Sequence, residues 1–147
     1  MAGALSLTAI VSYLIDLIGV EKKRTLLQQR RDIRKQENEE QLNENKQKVL
    51  NRISHLSKEE LRYLADCLRE NSQSFTTYVY SPYASTLGSK GLIYSPGGTH
   101  NQDYYPFVIN DFVWNHLLEN REKIIAQDDE NKRIEEEKKR NSRGRRY

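Results

Sequence analysis

Apolar residues are spread unevenly along the chain and divide it into four parts. The first is LSLTAIVSYLIDLIGVEKKR, whose nine Leu, Ile or Val residues are Leu5, Leu7, Ile10, Val11, Leu14, Ile15, Leu17, Ile18 and Val20, with one carboxylate, Asp16, among them. This density predicts an apolar helix over residues 1–20. In residues 21–55 the apolar positions thin to Leu26, Leu27, Ile33, Leu42, Val49, Leu50 and Ile53, with none from Arg34 to Gln41. Arg, Lys, Gln and Glu are good helix formers, and neither Gly nor Pro interrupts them, so a charged spacer helix is expected. The gap denies it the three unbroken heptads of a coiled coil.

The third part, residues 56–120, has the pattern of a compact domain. In LSKEELRYLADCLRE, Ser57 and Glu60 stand at capping-box spacing, and Leu56 and Leu61 can form a hydrophobic staple. Leu61, Leu64, Cys67 and Leu68 then make one buried stripe, in which Cys67 is a small core residue. In SFTTYVYSP, Phe75, Thr77 and Val79 alternate with Thr76, Tyr78 and Tyr80, as in a strand. Pro82 opens a short helix to Leu87 that Gly88 or Gly91 would end. GLIYS and YYPFVIN predict an antiparallel hairpin around PGGTHNQD, with Pro106 placing its strand at an edge or an irregular position. Asn110 caps a last helix that buries Phe112, Val113, Trp114, Leu117 and Leu118. Helix, strand, short helix, hairpin and helix together predict a small α+β, winged-helix-like domain.

In the fourth part, residues 121–147, Arg121–Arg140 reads as a polar helix and RNSRGRRY as a basic tail. Asp128, Asp129 and Glu130 are expected on a solvated face.

Composition agrees with this division. Hydrophobic residues are 36% and charged residues 31% of 147, too little apolar material for one globule of that length. The net charge of +3 is concentrated outside the domain: Lys22 to Lys35 carries seven basic residues against one Asp, whereas Leu56 to Asn110 carries four positive and five negative charges. A single cysteine excludes an internal disulfide framework and fits a reducing compartment.

The run LSKEELRYL, the Thr/Tyr strand, STLGSKGLIY, a polar hairpin tip and FVINDFVWNHLLEN together resemble the C-terminal module of the superinfection exclusion protein B family over roughly residues 50–120. The resemblance implies a phage or prophage protein of the bacterial inner membrane, its module in the cytoplasm, that stops a related phage from completing development. Family members usually carry two transmembrane helices ahead of the module; this sequence offers at most one.

That one segment could span a bilayer, lie on it, or pack in a soluble core. Twenty helical residues reach ~30 Å, just enough to span. The nine aliphatic residues favour insertion by roughly 3 to 5 kcal/mol, against about 2.5 to 3.5 for a central Asp, and less for Asp16 nearer one end. Thr8, Ser12 and Asp16 line one face, which in lipid would turn toward other helices and favour a homo-oligomer. The block Lys22, Lys23, Arg24, Arg30, Arg31, Arg34 and Lys35 suits an anionic lipid face on the cytoplasmic side.

No catalytic chemistry is expected. His55, His100 and His116 are scattered, PGGTH lacks the following helix of a phosphate loop, and no cofactor or metal is implied. The candidate partner contact is the hairpin tip, Gly97–Asp103, with Tyr94, Gly97, Gly98, His100, Asp103 and Tyr104 in and beside it. Tyr78, Tyr80, Tyr83, Tyr94, Tyr104 and Tyr105 belong either to a protein-binding surface or to a small half-buried sheet. The expected function is a membrane-attached exclusion protein acting by obstruction on a phage or host protein. Its rival is a soluble winged-helix DNA-binding regulator, dimerised by the N-terminal helix, but SPYASTLGSK offers only Lys90 for phosphate contact.

Overall fold

The computed structural model of the protein describes the backbone of residues 4–144 and the side chains of residues 11 and 19–142. Among these the chain is a mostly helical α+β protein with five helices and a three-stranded antiparallel sheet. The elements are α1 (Ala4–Asn51), a 3-10 turn (Arg52–His55), α2 (Lys58–Glu70), β1 (Ser74–Thr77), α3 (Pro82–Ser89), β2 (Ile93–Tyr94), β3 (Tyr105–Ile109), α4 (Asp111–Glu119) and α5 (Arg121–Gly144). Two units divide the chain, Met1–Asn45 and Lys46–Tyr147. The apolar and charged helices expected as separate parts are one continuous helix, α1, unbroken at Gly19.

Local chemistry sets the ends of α2 and α3. Ser57 Oγ accepts the Glu60 N–H at 3.2 Å and Glu60 Oε2 accepts the Ser57 N–H at 2.7 Å, completing the capping box. Asn71 ends α2 in the left-handed region at φ 52°, where the Ser72 N–H reaches the Cys67 carbonyl at 2.9 Å. At the end of α3, Gly91 takes φ 77° while the Leu92 N–H bonds the Leu87 carbonyl at 3.1 Å and the Gly91 N–H the Gly88 carbonyl at 2.9 Å. That pair of bonds satisfies carbonyls the helix cannot, and it needs a residue without a Cβ penalty at Gly91.

The core of the Lys46–Tyr147 unit gathers Leu61, Leu64, Ala65, Cys67 and Leu68 of α2 with Ala84 and Leu87 of α3, Leu92 just before β2, Ile93 and Ile109 of the sheet, Val113 and Leu117 of α4, and Ile124 of α5. Strand order is β1-β3-β2, with Phe75 opposite Phe107 and Ile93 opposite Ile109. Pro106 therefore sits in the central strand, not at an edge, which was one of the two positions expected. Bonds alternate along β3: the Ile109 N–H goes to Gln73 at 2.9 Å and the Asn110 N–H to Leu92 at 3.0 Å. By this alternation the Pro106 nitrogen faces the β2 side, beyond the end of β2 at Tyr94, where no ladder bond is required. Asn110 also departs from expectation, because its side chain caps nothing. Its amide donates instead to the Gly91 carbonyl at 2.7 Å and ties α4 to the start of β2.

The largest correction is at α5. Asp128, expected in solvent, is 0% exposed. Its Oδ2 lies 2.8 Å from Arg69 Nη1 on α2 and 2.9 Å from Lys132 Nζ one turn on, and its Oδ1 faces Arg62 Nε across 3.9 Å. Arg69 also holds Asp66 and Asp129, each at 2.7 Å, and Arg62 holds Glu135 at 3.1 Å. Burial pushes the Asp128 carboxyl up, and the Lys132 and Arg69 cations more than reverse this, so it stays below the ordinary range. The part of α5 from Ile124 to Glu135 thus packs on the domain rather than trailing from it.

A second buried charge, Glu60, is gripped by Lys90 Nζ at 2.7 and 2.8 Å, joining the start of α2 to the end of α3. Arg52 Nη1 donates to the Lys90 carbonyl at 2.8 Å and adds the 3-10 turn. Burial raises the Glu60 pKa, but the bonds from Lys90 and from the Ser57 N–H outweigh it and lower it from 4.5 to about 2.

Asp128→Asn should cost about 3 kcal/mol of unfolding free energy in urea, because it removes a fully buried charge from its pairing with Arg69 and Lys132, whereas Asp129→Asn should cost under about 0.5. Equal effects would show that burial of Asp128 is immaterial. Because both buried carboxyls have depressed pKa values, they bind fewer protons folded than unfolded. The stability Glu60 contributes is complete above about pH 4.5 and is lost as the pH falls toward 2, and that of Asp128 is likewise lost on acidification. Glu60→Gln should flatten that acid dependence, measured as unfolding midpoint against pH.

Candidate functional site

The register of the sheet sorts its aromatic residues by face. Residues paired across strands share a face, and successive residues alternate, so Phe75, Thr77, Tyr105, Phe107, Ile109 and Ile93 point one way. This inner face carries a continuous run of rings. Tyr83 meets Tyr63 at 6.3 Å between centroids, Tyr63 meets Phe75 at 5.1 Å, Phe75 meets Phe107 at 5.8 Å, and Phe107 meets Tyr105 at 5.5 Å. His100 closes the run edge-on to Tyr105, at 5.5 Å and 85°. Such stacked, tilted and edge contacts contribute roughly 0.5–1.5 kcal/mol each beyond area burial.

The hairpin tip is held by that end of the run. His100 Nε2 lies 3.0 Å from the Gly97 carbonyl, and Ser95 Oγ donates to the Tyr105 hydroxyl at 2.9 Å. Asn101 Oδ1 accepts the Asp103 N–H at 2.9 Å and turns the chain back toward β3. Gly98 adopts φ 102°, and a Cβ there would stand 3.3 Å from the His100 ring, so both conformation and space call for glycine. His100, proposed from sequence as a contact residue, thus also organises the tip from within.

The tyrosines divide between the two readings the sequence left open. Tyr63 and Tyr105 are half-buried in the ring run, while Tyr78, Tyr80, Tyr83, Tyr94 and Tyr104 are exposed, Tyr80 and Tyr104 most of all at 71% each. Strand pairing ends at Thr77, earlier than the alternation suggested, and Tyr78–Ser81 forms a turn closed by the Ser81 N–H to the Tyr78 carbonyl at 2.9 Å. The Val79 N–H donates to the Gln102 carbonyl at 2.8 Å, joining this turn to the hairpin tip. Tyr78 and Tyr80 stand edge to face at 5.6 Å. One surface therefore unites Gly97, Gly98, His100 and Asp103, all exposed, with Tyr104 and with the Tyr78–Tyr80 turn. Sequence alone missed the turn as a partner of the tip, because a single main-chain bond makes the connection.

Comparison with protein families, curated proteins and solved structures finds no match.

The charge of this surface is as telling as its shape. From Asn71 to Asn120 the sole Lys or Arg is Lys90, and Glu60 holds it. No cation is left on this stretch to contact phosphate. Among the described residues, no group of three or more His, Cys, Asp or Glu could hold a metal. Cys67 is buried, and burial together with Glu70 and Asp66 pushes its thiol up to about 12.

On α1 the seven basic residues from Lys22 to Lys35 are exposed, as are Val11 and Val20. The side chains of Leu5, Leu7, Ile10, Leu14, Ile15, Leu17 and Ile18 lie outside the described residues. No helix among the described residues is long and apolar enough to cross a membrane.

His100→Ala should raise amide hydrogen exchange across Gly97–Asp103 by about ten-fold while leaving the exchange of α2 unchanged, since it frees the tip and spares the core. Unchanged exchange at the tip would mean that the ring contact with Tyr105 does not organise it.

Proposed function

We propose that the protein is a membrane-attached superinfection exclusion protein of a phage or prophage, which blocks development of a related phage by binding a phage or host protein. The observation that carries this reading is the surface formed by the hairpin tip and the Tyr78–Tyr80 turn. It is exposed, rich in tyrosine, held rigid by internal bonds and devoid of Lys and Arg. Tyrosine is enriched at protein interfaces because one ring supplies both apolar area and a polar tip at small entropic cost.

The module is read as winged-helix-like: α2, β1, α3, the β2–β3 hairpin and α4 follow the chain order of such a domain, with the hairpin as wing. In a DNA-binding member α3 would meet a groove. Here α3 is Pro82–Ser89 without a basic residue, and the neighbouring Lys90 is committed to Glu60, which supports a protein partner over a nucleic acid. The resemblance of LSKEELRYL, STLGSKGLIY and FVINDFVWNHLLEN to the exclusion family supplies the biological setting, the bacterial inner membrane with the module facing the cytoplasm.

Attachment is assigned to the aliphatic positions from Leu5 to Val20, with Lys22 to Lys35 at the anionic lipid face. The Thr8, Ser12 and Asp16 face makes a homo-oligomer of this helix part of the proposal.

Cell fractionation should place the protein in the membrane pellet, resistant to high salt. Recovery in the high-speed supernatant would overturn the attachment. In a lysogen challenged with related phage, the Tyr80→Ser, Tyr104→Ser double variant should pellet normally but restore plaque counts to those of a deletion strain. Full exclusion by that variant would remove the tyrosine surface from the mechanism.

A further inference from the structure

Where the last turn of α1 and the 3-10 turn meet the α4–α5 junction, the Lys46–Tyr147 unit holds a half-open cleft of about 360 Å³. Its floor is apolar, made by Leu50 and Ile53 with the buried Leu61 and Ile124. Its wall is polar: His116, Lys123 and side-chain amides line it, and among the described residues no Asp or Glu does. A volume of this order lies within the range of about 300–1,000 Å³ typical of small-molecule sites, and an apolar floor with a few polar groups is their usual composition.

Two of the wall groups are uncommitted. Lys123 makes no ion pair among the described residues, although α5 is rich in carboxylates, and the His116 ring makes no hydrogen bond among them. Only the His116 carbonyl is engaged, accepting the Asn120 amide at 2.9 Å. Ion pairs on α5 begin further along the helix, at Asp128, Asp129, Lys132, Arg133 and Glu135. An apolar floor beside an unpaired ammonium, with no carboxylate in the wall, selects a ligand that is apolar at one end and anionic at the other.

We propose that this cleft binds a small carboxylate with an apolar body, such as an aromatic acid, whose ring covers Leu50, Ile53 and Ile124 and whose carboxylate meets Lys123 and His116. A single cation matches a monoanion better than a phosphate ester, which is served by several. The site lies wholly within one unit, to which the last turn of α1 contributes Gln47, Leu50 and Asn51.

The test is a titration of the full chain in zwitterionic detergent, followed by amide NMR, with benzoate, benzylammonium and benzyl alcohol as probes. Benzoate should shift the amides of Ile53, His116, Lys123 and Ile124 saturably, and benzylammonium at the same concentrations should leave them in place. Lys123→Gln should weaken benzoate binding about five-fold without altering the unfolding midpoint. His116→Gln, a second change in the wall, should weaken it less. Equal responses to benzoate and benzylammonium, shifts that never saturate, or a Lys123→Gln protein that binds benzoate as before would each overturn the proposal.

Discussion

A carboxylate taken fully out of water is tolerable only while cations stay beside it, and Asp128 of α5 meets that condition through Arg69 of α2 and Lys132 of its own helix. The requirement dictates where α5 lies. Arg69 cannot serve Asp128 unless α5 packs along α2, and once it does, Ile124 enters the core and Arg62 reaches Glu135. The attraction between α2 and α5 is thus mostly ionic at one end and apolar at the other. Apolar contact alone would hold this helix weakly, because few of its residues are hydrophobic.

The same economy governs the sheet. Three short strands could not stand by themselves, and the ring run from Tyr83 to His100 gives them a continuous backing against α2. Because that run ends under the hairpin tip, order in the core extends into a loop that composition alone would call soft. In the proposed reading, a partner meeting Tyr104 and Tyr80 would find a backbone already ordered before binding.

How much of this was legible in the sequence follows from the range of each interaction. The capping box of Ser57 and Glu60, the glycine exit of α3 and the hairpin around PGGTHNQD are set by residues within a few positions of one another, and all were readable. The central place of Pro106 was not, since it depends on β1 joining from a distant part of the chain on the side away from the missing donor. Asp128 looked like one acid among many, because only Lys132 of its partners lies on the same helix, one turn on, while Arg69 is far off in sequence. Alternation in SFTTYVYSP gave the two faces of β1 but not where pairing stops, and so the Tyr78–Tyr80 turn was hidden inside an apparent strand.

The state of Cys67 has a practical consequence. With its thiol pushed up to about 12 and its side chain sealed in the α2 stripe, Cys67 stays in the unreactive thiol form near neutral pH. The chain holds no other cysteine. A fluorophore or photo-crosslinker aimed at a cysteine newly introduced beside the loops would therefore react there alone, giving the native polypeptide a ready-made blank background for chemical tagging.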